Sequence, residues 1–219
     1  MRKVFAWGGI AASIVLIAFG IGSIVVGLNG RSEVRNDISR ENIVGTPDMT
    51  PEGITAEAEK AGLSPSEIDV PSTSVAGKEI SNGDRAKAFA SYMRIHALEA
   101  TGGYTYAEMG RYLAKPGTAK AQLAPGGGTS NPAFAVIDPK TKQPTENVAR
   151  NIWVTETALS TALTTSYFAE RVALFSVIMG VALLLTGIGF LVLTLGALFG
   201  VGSLTARSKE GPDKTSATT

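Results

Sequence analysis

The chain carries one histidine and no cysteine, and those two counts bound most of the chemistry open to it. His96 has Glu99 three residues on and Tyr92 four residues back, so a helix through this stretch would bring all three within reach of one another. A His–Glu pair can hold a cation or move a proton. Transition-metal sites, however, take three or four ligands, mostly from His and Cys. A lone histidine therefore reads as a half-buried ring bonded within its own helical region, and no residue is assigned to a metal, to a cofactor or to catalysis. Tyr104, Tyr106 and Tyr112 follow closely. With Tyr92 they could line a groove for a lipid or polyprenyl chain, or they could form an ordinary core with hydroxyls at its rim. Tyr92, His96, Glu99, Tyr104, Tyr106 and Tyr112 are the candidate ligand or partner surface.

Other signatures are missing their defining residues. No G-x-S-x-G elbow occurs. Gly77–Lys78 lacks the leading Gly and the following Ser/Thr of a phosphate loop. Gly126–Gly128 lies in a Pro-flanked loop without a helix start behind it. Glu57 and Glu59 read as solvated helix-face carboxylates.

The elements that would position these residues are bracketed by two apolar stretches, Val4–Leu28 and Val172–Leu204, neither containing Asp, Glu, Lys, Arg or His. At about 1.5 Å per residue each is long enough for a hydrocarbon core of ~30 Å. The reading is a cytoplasmic N-terminus over 1–3, a first membrane helix over 4–28, an extracytoplasmic domain over 29–171, a second membrane helix over 172–204 and a cytoplasmic disordered tail over 205–219. Arg2 and Lys3 at one end and Arg207, Lys209 and Lys214 at the other put both termini in the cytoplasm, because short basic flanks stay inside. A cleavable signal peptide is the alternative for the first stretch, but its 25 apolar residues exceed the usual length and no A-x-A-like site follows. The middle segment holds 15 Lys/Arg against 17 Asp/Glu, a balance that argues against nucleic acid, which requires a basic face. Small residues four apart (Gly8/Ala12, Gly9/Ser13, Ala18/Gly22, Ser23/Gly27, Ser176/Gly180, Gly196/Gly200) predict close helix packing within the chain. Trp7, Tyr167, Phe168 and Arg171 are expected as interface anchors.

Between the spans the pattern is helical. Arg31–Glu41 is charged and helical. Thr50–Pro51 is a hydroxyl cap followed by Pro, starting a helix that ends at Gly62. Asn82 or Asp84 starts another, with Phe89, Tyr92, Met93, His96 and Ala100 on one face, ended by Gly102–Gly103. A second helix over about Thr105–Leu113 would make a helical hairpin carrying the outer core. The stretch "STSVAGKEIS" suggests a small hairpin. From Thr145 to Leu204 nothing breaks a single long helix. The fold class is mainly α: two transmembrane helices with an inserted helical domain, the second span continuous with a long helix of that domain, and at most a small β-hairpin.

Four stretches, "IVGTPDMTPEGI", "YMRIHALEATGGYTYAEMGRYL", "DPKTKQPTENVARNIWVTETALSTALTTSYFAE" and "GVALLLTGIGF", resemble a family of uncharacterised actinobacterial two-span membrane proteins, often labelled aromatic ring-opening dioxygenase. The likeness covers most of the chain. It implies the two-span architecture and a place in the actinobacterial cell envelope, and it supplies no catalytic residue to carry over. An extradiol iron site uses two His and one carboxylate, whereas His96 is the only histidine here. The expected role is a non-enzymatic integral membrane protein, an accessory or scaffold subunit whose domain meets an envelope partner or a membrane complex. Lipid or small-molecule binding by that domain is the alternative, and an enzyme of unknown type comes third. The expected surroundings are the lipid bilayer and an envelope or membrane protein, with no cofactor.

Overall fold

The computed structural model describes residues 2–64, 66 and 68–199. Among these the chain forms four α-helices: α1 (Arg2–Arg40), α2 (Pro51–Lys60), α3 (Gly83–Ala100) and α4 (Val148–Phe199). Short 3-10 turns and isolated bridges fill the rest, and no strand forms among the described residues. Met1, residues 200–204 of the second expected span and the 205–219 tail lie outside the described residues. Two compact units emerge, one from residues up to Gly30 and from Val172 onward, the other from Arg31–Arg171.

In the first unit the two apolar helices lie antiparallel. A Cβ added at Gly9 would meet Thr194, at Gly20 it would meet Gly180 and Leu184, and at Gly27 it would meet Ala173 and Val177. At Gly20 and Gly180 that atom would sit 2.7–2.8 Å from the opposing backbone, so only glycine permits the approach. The buried positions of α1 in this unit are Ala6, Ser13, Gly20 and Gly27, one small residue in every seven. Gly8, Gly22 and Gly196 face open space. The packing expected of the small residues is present, and Gly9/Ser13 lies on the seam as a pair, but the buried positions recur seven apart rather than four, the period at which one seam stays turned toward its partner. Outside the seam the surface is apolar: Phe19, Val26, Phe175 and Leu193 are all exposed. Only 11% of the most apolar window of each helix is buried, whereas a core helix of a soluble protein is mostly covered. Ser13, Ser176, Thr186 and Thr194 return their hydroxyls to the carbonyl four residues earlier, so these side chains carry no unpaired donor into an apolar medium. Two helices long and apolar enough to cross a membrane are thus present.

The second unit has its own core. Ile54 and Ala58 of α2, Phe89, Tyr92 and Ile95 of α3, Ile38 of α1 and Leu163 of α4 pack together with Met49, Val75 and Ile80 from the connections. Local chemistry fixes the ends. Thr50 accepts from Gly53 N at 2.9 Å and Pro51 opens α2, while Asn82 accepts from Arg85 N at 3.0 Å at the start of α3. Gly102 and Gly103 both take positive φ and end α3, a conformation that disfavours a side chain. The charged stretch after Leu28 is no separate helix, because α1 runs without a break to Arg40.

Two expectations change. The helix over Thr105–Leu113 is only a 3-10 turn, Tyr106–Glu108. From Gly110 the backbone turns to pair elsewhere: Tyr112 exchanges bonds with Thr129, and Leu113 donates to Thr145, satisfying in bridges what a helix would satisfy internally. The "STSVAGKEIS" segment does turn at Val75–Lys78, but its arms pair with Val44 and Gly45 rather than with each other.

Candidate functional site

His96 leaves α3 near its C-terminal end and meets three carboxylates. Nδ1 lies 3.1 Å from Glu99 Oε2, the i,i+3 neighbour. Nε2 lies 2.8 Å from Asp48 Oδ2. Asp48 stands in the turn before α2, held there by the Met49 N to Thr46 O bond. Glu57, on α2, completes the group: one ligand atom each from Asp48, Glu57 and His96 lie within 4.8 Å of one another. No other set of three His, Asp or Glu comes this close among the described residues. Glu57 is half-buried, which corrects its reading as a solvated helix-face residue. α2 packs on α3, and that packing turns Glu57 toward His96.

The electrostatics are unbalanced. Asp48 Oδ2 and Glu99 Oε1 are shielded from solvent and receive no hydrogen bond. Asp48 Oδ2 lies at ion-pair distance from Nε2. No Lys or Arg pairs with Asp48, Glu57 or Glu99 among the described residues; every other ion pair of the unit lies elsewhere. Burial pushes the Asp48 carboxyl up, but the Thr46 hydroxyl, its own backbone N–H and His96 outweigh it and hold it below its ordinary range.

The tyrosines have different neighbours. Tyr92 is buried and donates to Thr73 O at 3.3 Å. Tyr104 packs over Gly126 and accepts from Trp153 Nε1 through its backbone at 2.9 Å. Tyr106 lies under the Arg150 guanidinium, 3.8 Å from the ring centroid. Tyr112 sits in the bridge to Thr129 and Glu146. Of the six residues singled out from the sequence, His96 and Glu99 share one site. A recess of about 430 Å³ opens beside α3, its lining including Leu63, Ile68, Ile95, Leu98, Arg94 and Asp69; none of the four tyrosines lines it.

A second polar centre escaped sequence reasoning. Glu170, on α4, accepts from Gly83 N at 2.6 Å, Arg31 Nε at 2.9 Å and Arg35 at 2.7 Å. It caps the first turn of α3, where backbone N–H groups lack helical partners. Gly83 permits this, since a Cβ there would lie 2.8 Å from Tyr167 Cα. Burial raises the Glu170 pKa, but the Gly83 N–H and the two guanidiniums pull it further down, leaving it below the ordinary value. Arg171, read as an interface anchor, pairs with Asp84 and lies over Tyr167. The available signal was an acidic residue two positions before an apolar run, with two arginines four apart on the other helix. No family model, no curated protein and no solved structure matches the chain.

Proposed function

We propose that this is an integral membrane protein of the cell envelope, crossing the bilayer twice, with both termini cytoplasmic and residues 29–171 outside. Its role is that of an accessory or scaffold subunit presenting the outer domain to an envelope or membrane partner. One observation carries the reading: two exposed apolar helices fit each other along a seam of small residues, and both continue into a unit with a separate core. A cleaved leader has no use for a seam matched to α4, so the first helix is retained as an anchor. The basic flanks supply the orientation. The placement in an actinobacterial envelope rests on the resemblance of the four sequence stretches.

A second reading, lipid or small-molecule binding by the outer domain, draws on the recess whose lining joins Leu63, Ile68, Ile95 and Leu98 with Arg94 and Asp69. Extraction of the tagged full chain in mild detergent, followed by identification of what co-purifies, separates the two. A protein recovered near one per chain supports the scaffold. Lipid or small molecule alone, lost on Leu98→Arg, supports the second reading. Turnover of catechol by the purified chain would overturn both.

A further inference from the structure

We propose that Asp48, Glu57 and His96 bind one divalent transition cation of the zinc type, with Glu99 as the residue that orients the histidine. This goes beyond the scaffold reading and does not depend on it. The imidazole is the first argument. With Nδ1–H donating to Glu99, the neutral ring leaves Nε2 without a proton, 2.8 Å from Asp48 Oδ2. Two electron-rich atoms at that distance repel unless a cation lies between or beside them. A carboxylate on the far ring nitrogen is also the usual partner of a metal-bound histidine, fixing its tautomer and its direction.

The second argument separates a metal from a proton. A proton on Nε2 would answer Asp48 alone. It would leave Glu57 without a cation. A divalent ion answers all three ligands. For bonds of ~2.0–2.2 Å the ligand atoms must stand ~3.4 Å apart, so Nε2 and Asp48 Oδ2 open from 2.8 Å while Glu57 keeps within or closes from the 4.8 Å that bounds the group. Imidazole nitrogen with carboxylate oxygen favours zinc-type ions over Mg²⁺ and Ca²⁺, which take oxygen alone. Three protein ligands leave a coordination position for water. The ion would tie the turn before α2, α2 itself and α3 together, a cross-link that a chain without cysteine cannot make by disulfide.

The test uses tag-free full-length protein in detergent, stripped with a chelator and titrated with Zn²⁺, with Mg²⁺ and Ca²⁺ as controls. Thermal unfolding is followed by Trp153 fluorescence in a Trp7→Phe background. The expected result is one zinc per chain and a rise of several degrees in the unfolding midpoint, with Mg²⁺ and Ca²⁺ inert. His96→Ala removes the rise and weakens binding more than a hundredfold. Asp48→Asn and Glu57→Gln each weaken it at least tenfold, and Glu99→Gln weakens it by about ten- to a hundredfold while keeping the stoichiometry. Glu57→Gln preserves size on a half-exposed helix face, so an unchanged metal-free midpoint in that variant excludes misfolding as the cause. The proposal is overturned by absence of saturable zinc binding, by affinity unchanged in His96→Ala, or by an equal rise with Mg²⁺.

Discussion

Replacing Glu170 by Gln removes one charge and almost no volume, which makes it a clean probe of how α1, α3 and α4 are joined in the second unit. The Glu170 side chain is 10% exposed, and its carboxylate takes three donors: Gly83 N–H, Arg31 and Arg35. A hydrogen bond to a charged group contributes ~1.5–3 kcal/mol, and breaking a fully buried pair costs ~3–5 kcal/mol. The guanidiniums are 37% and 43% exposed and regain water when the charge goes, so the lower end applies. Gln keeps one acceptor for Gly83. The expected loss is therefore about 2–3 kcal/mol, a midpoint lower by roughly 5–15 °C, read by Trp153 fluorescence in a Trp7→Phe background. The pH dependence gives an independent reading. The folded pKa of Glu170 lies below its unfolded value near 4.5, so its stabilisation is complete above that pH and fades as pH falls through the folded pKa. The gap between wild type and Glu170→Gln should be constant from pH 6 to 8 and should close in acid. A gap under ~0.5 kcal/mol, the scale of an ordinary surface change, or one that persists unchanged into acid, refutes the reasoning.

Gly20→Leu should disrupt the helix seam, because its Cβ alone would meet the Leu184 backbone at 2.7 Å; a loss of about 1–3 kcal/mol is expected. Gly22→Leu, which faces open space, should be neutral, and equal effects on detergent-solubilised melting would show the seam to be misassigned. Phe89→Ala opens the core of the second unit, where Phe89 is 6% exposed, and should cost ~3–5 kcal/mol; an unchanged melting point places the core elsewhere. Ser160→Pro, within α4, should cost ~3 kcal/mol or more and speed hydrogen exchange around the substitution, and fast exchange over residues 161–166 already in the wild type would contradict an unbroken α4.

Local chemistry was legible in the sequence and distant contact was not. Thr50–Pro51, Asn82, Gly62 and Gly102–Gly103 mark helix ends because each acts within a few residues of itself. The His96–Glu99 pair was visible for the same reason, being one helical turn apart. Asp48 and Glu57 reach that pair only after α2 packs on α3, a contact that no spacing announces. Tyr106 and Tyr112 carry the period of a helix, yet the backbone of Gly110–Leu113 finds partners in Gly127, Thr129 and Thr145, and long-range pairing overrides a short amphipathic pattern. The seam was present as Ala6, Ser13, Gly20 and Gly27 but was hidden among other glycines. Only the direction of each residue separates Gly20 from Gly22.

The central claim is that two retained membrane helices carry residues 29–171 to the outside. Cysteines placed singly at Ser72 and at Ser216 of this cysteine-free chain test it on intact cells with a membrane-impermeant thiol reagent. Ser72 is exposed, in the connection between α2 and α3. Labelling of Ser72→Cys is expected before lysis and of Ser216→Cys only after lysis, both on a chain of full length. Labelling of Ser216→Cys but not Ser72→Cys on intact cells, or a labelled product shortened by the length of the first helix, would contradict it.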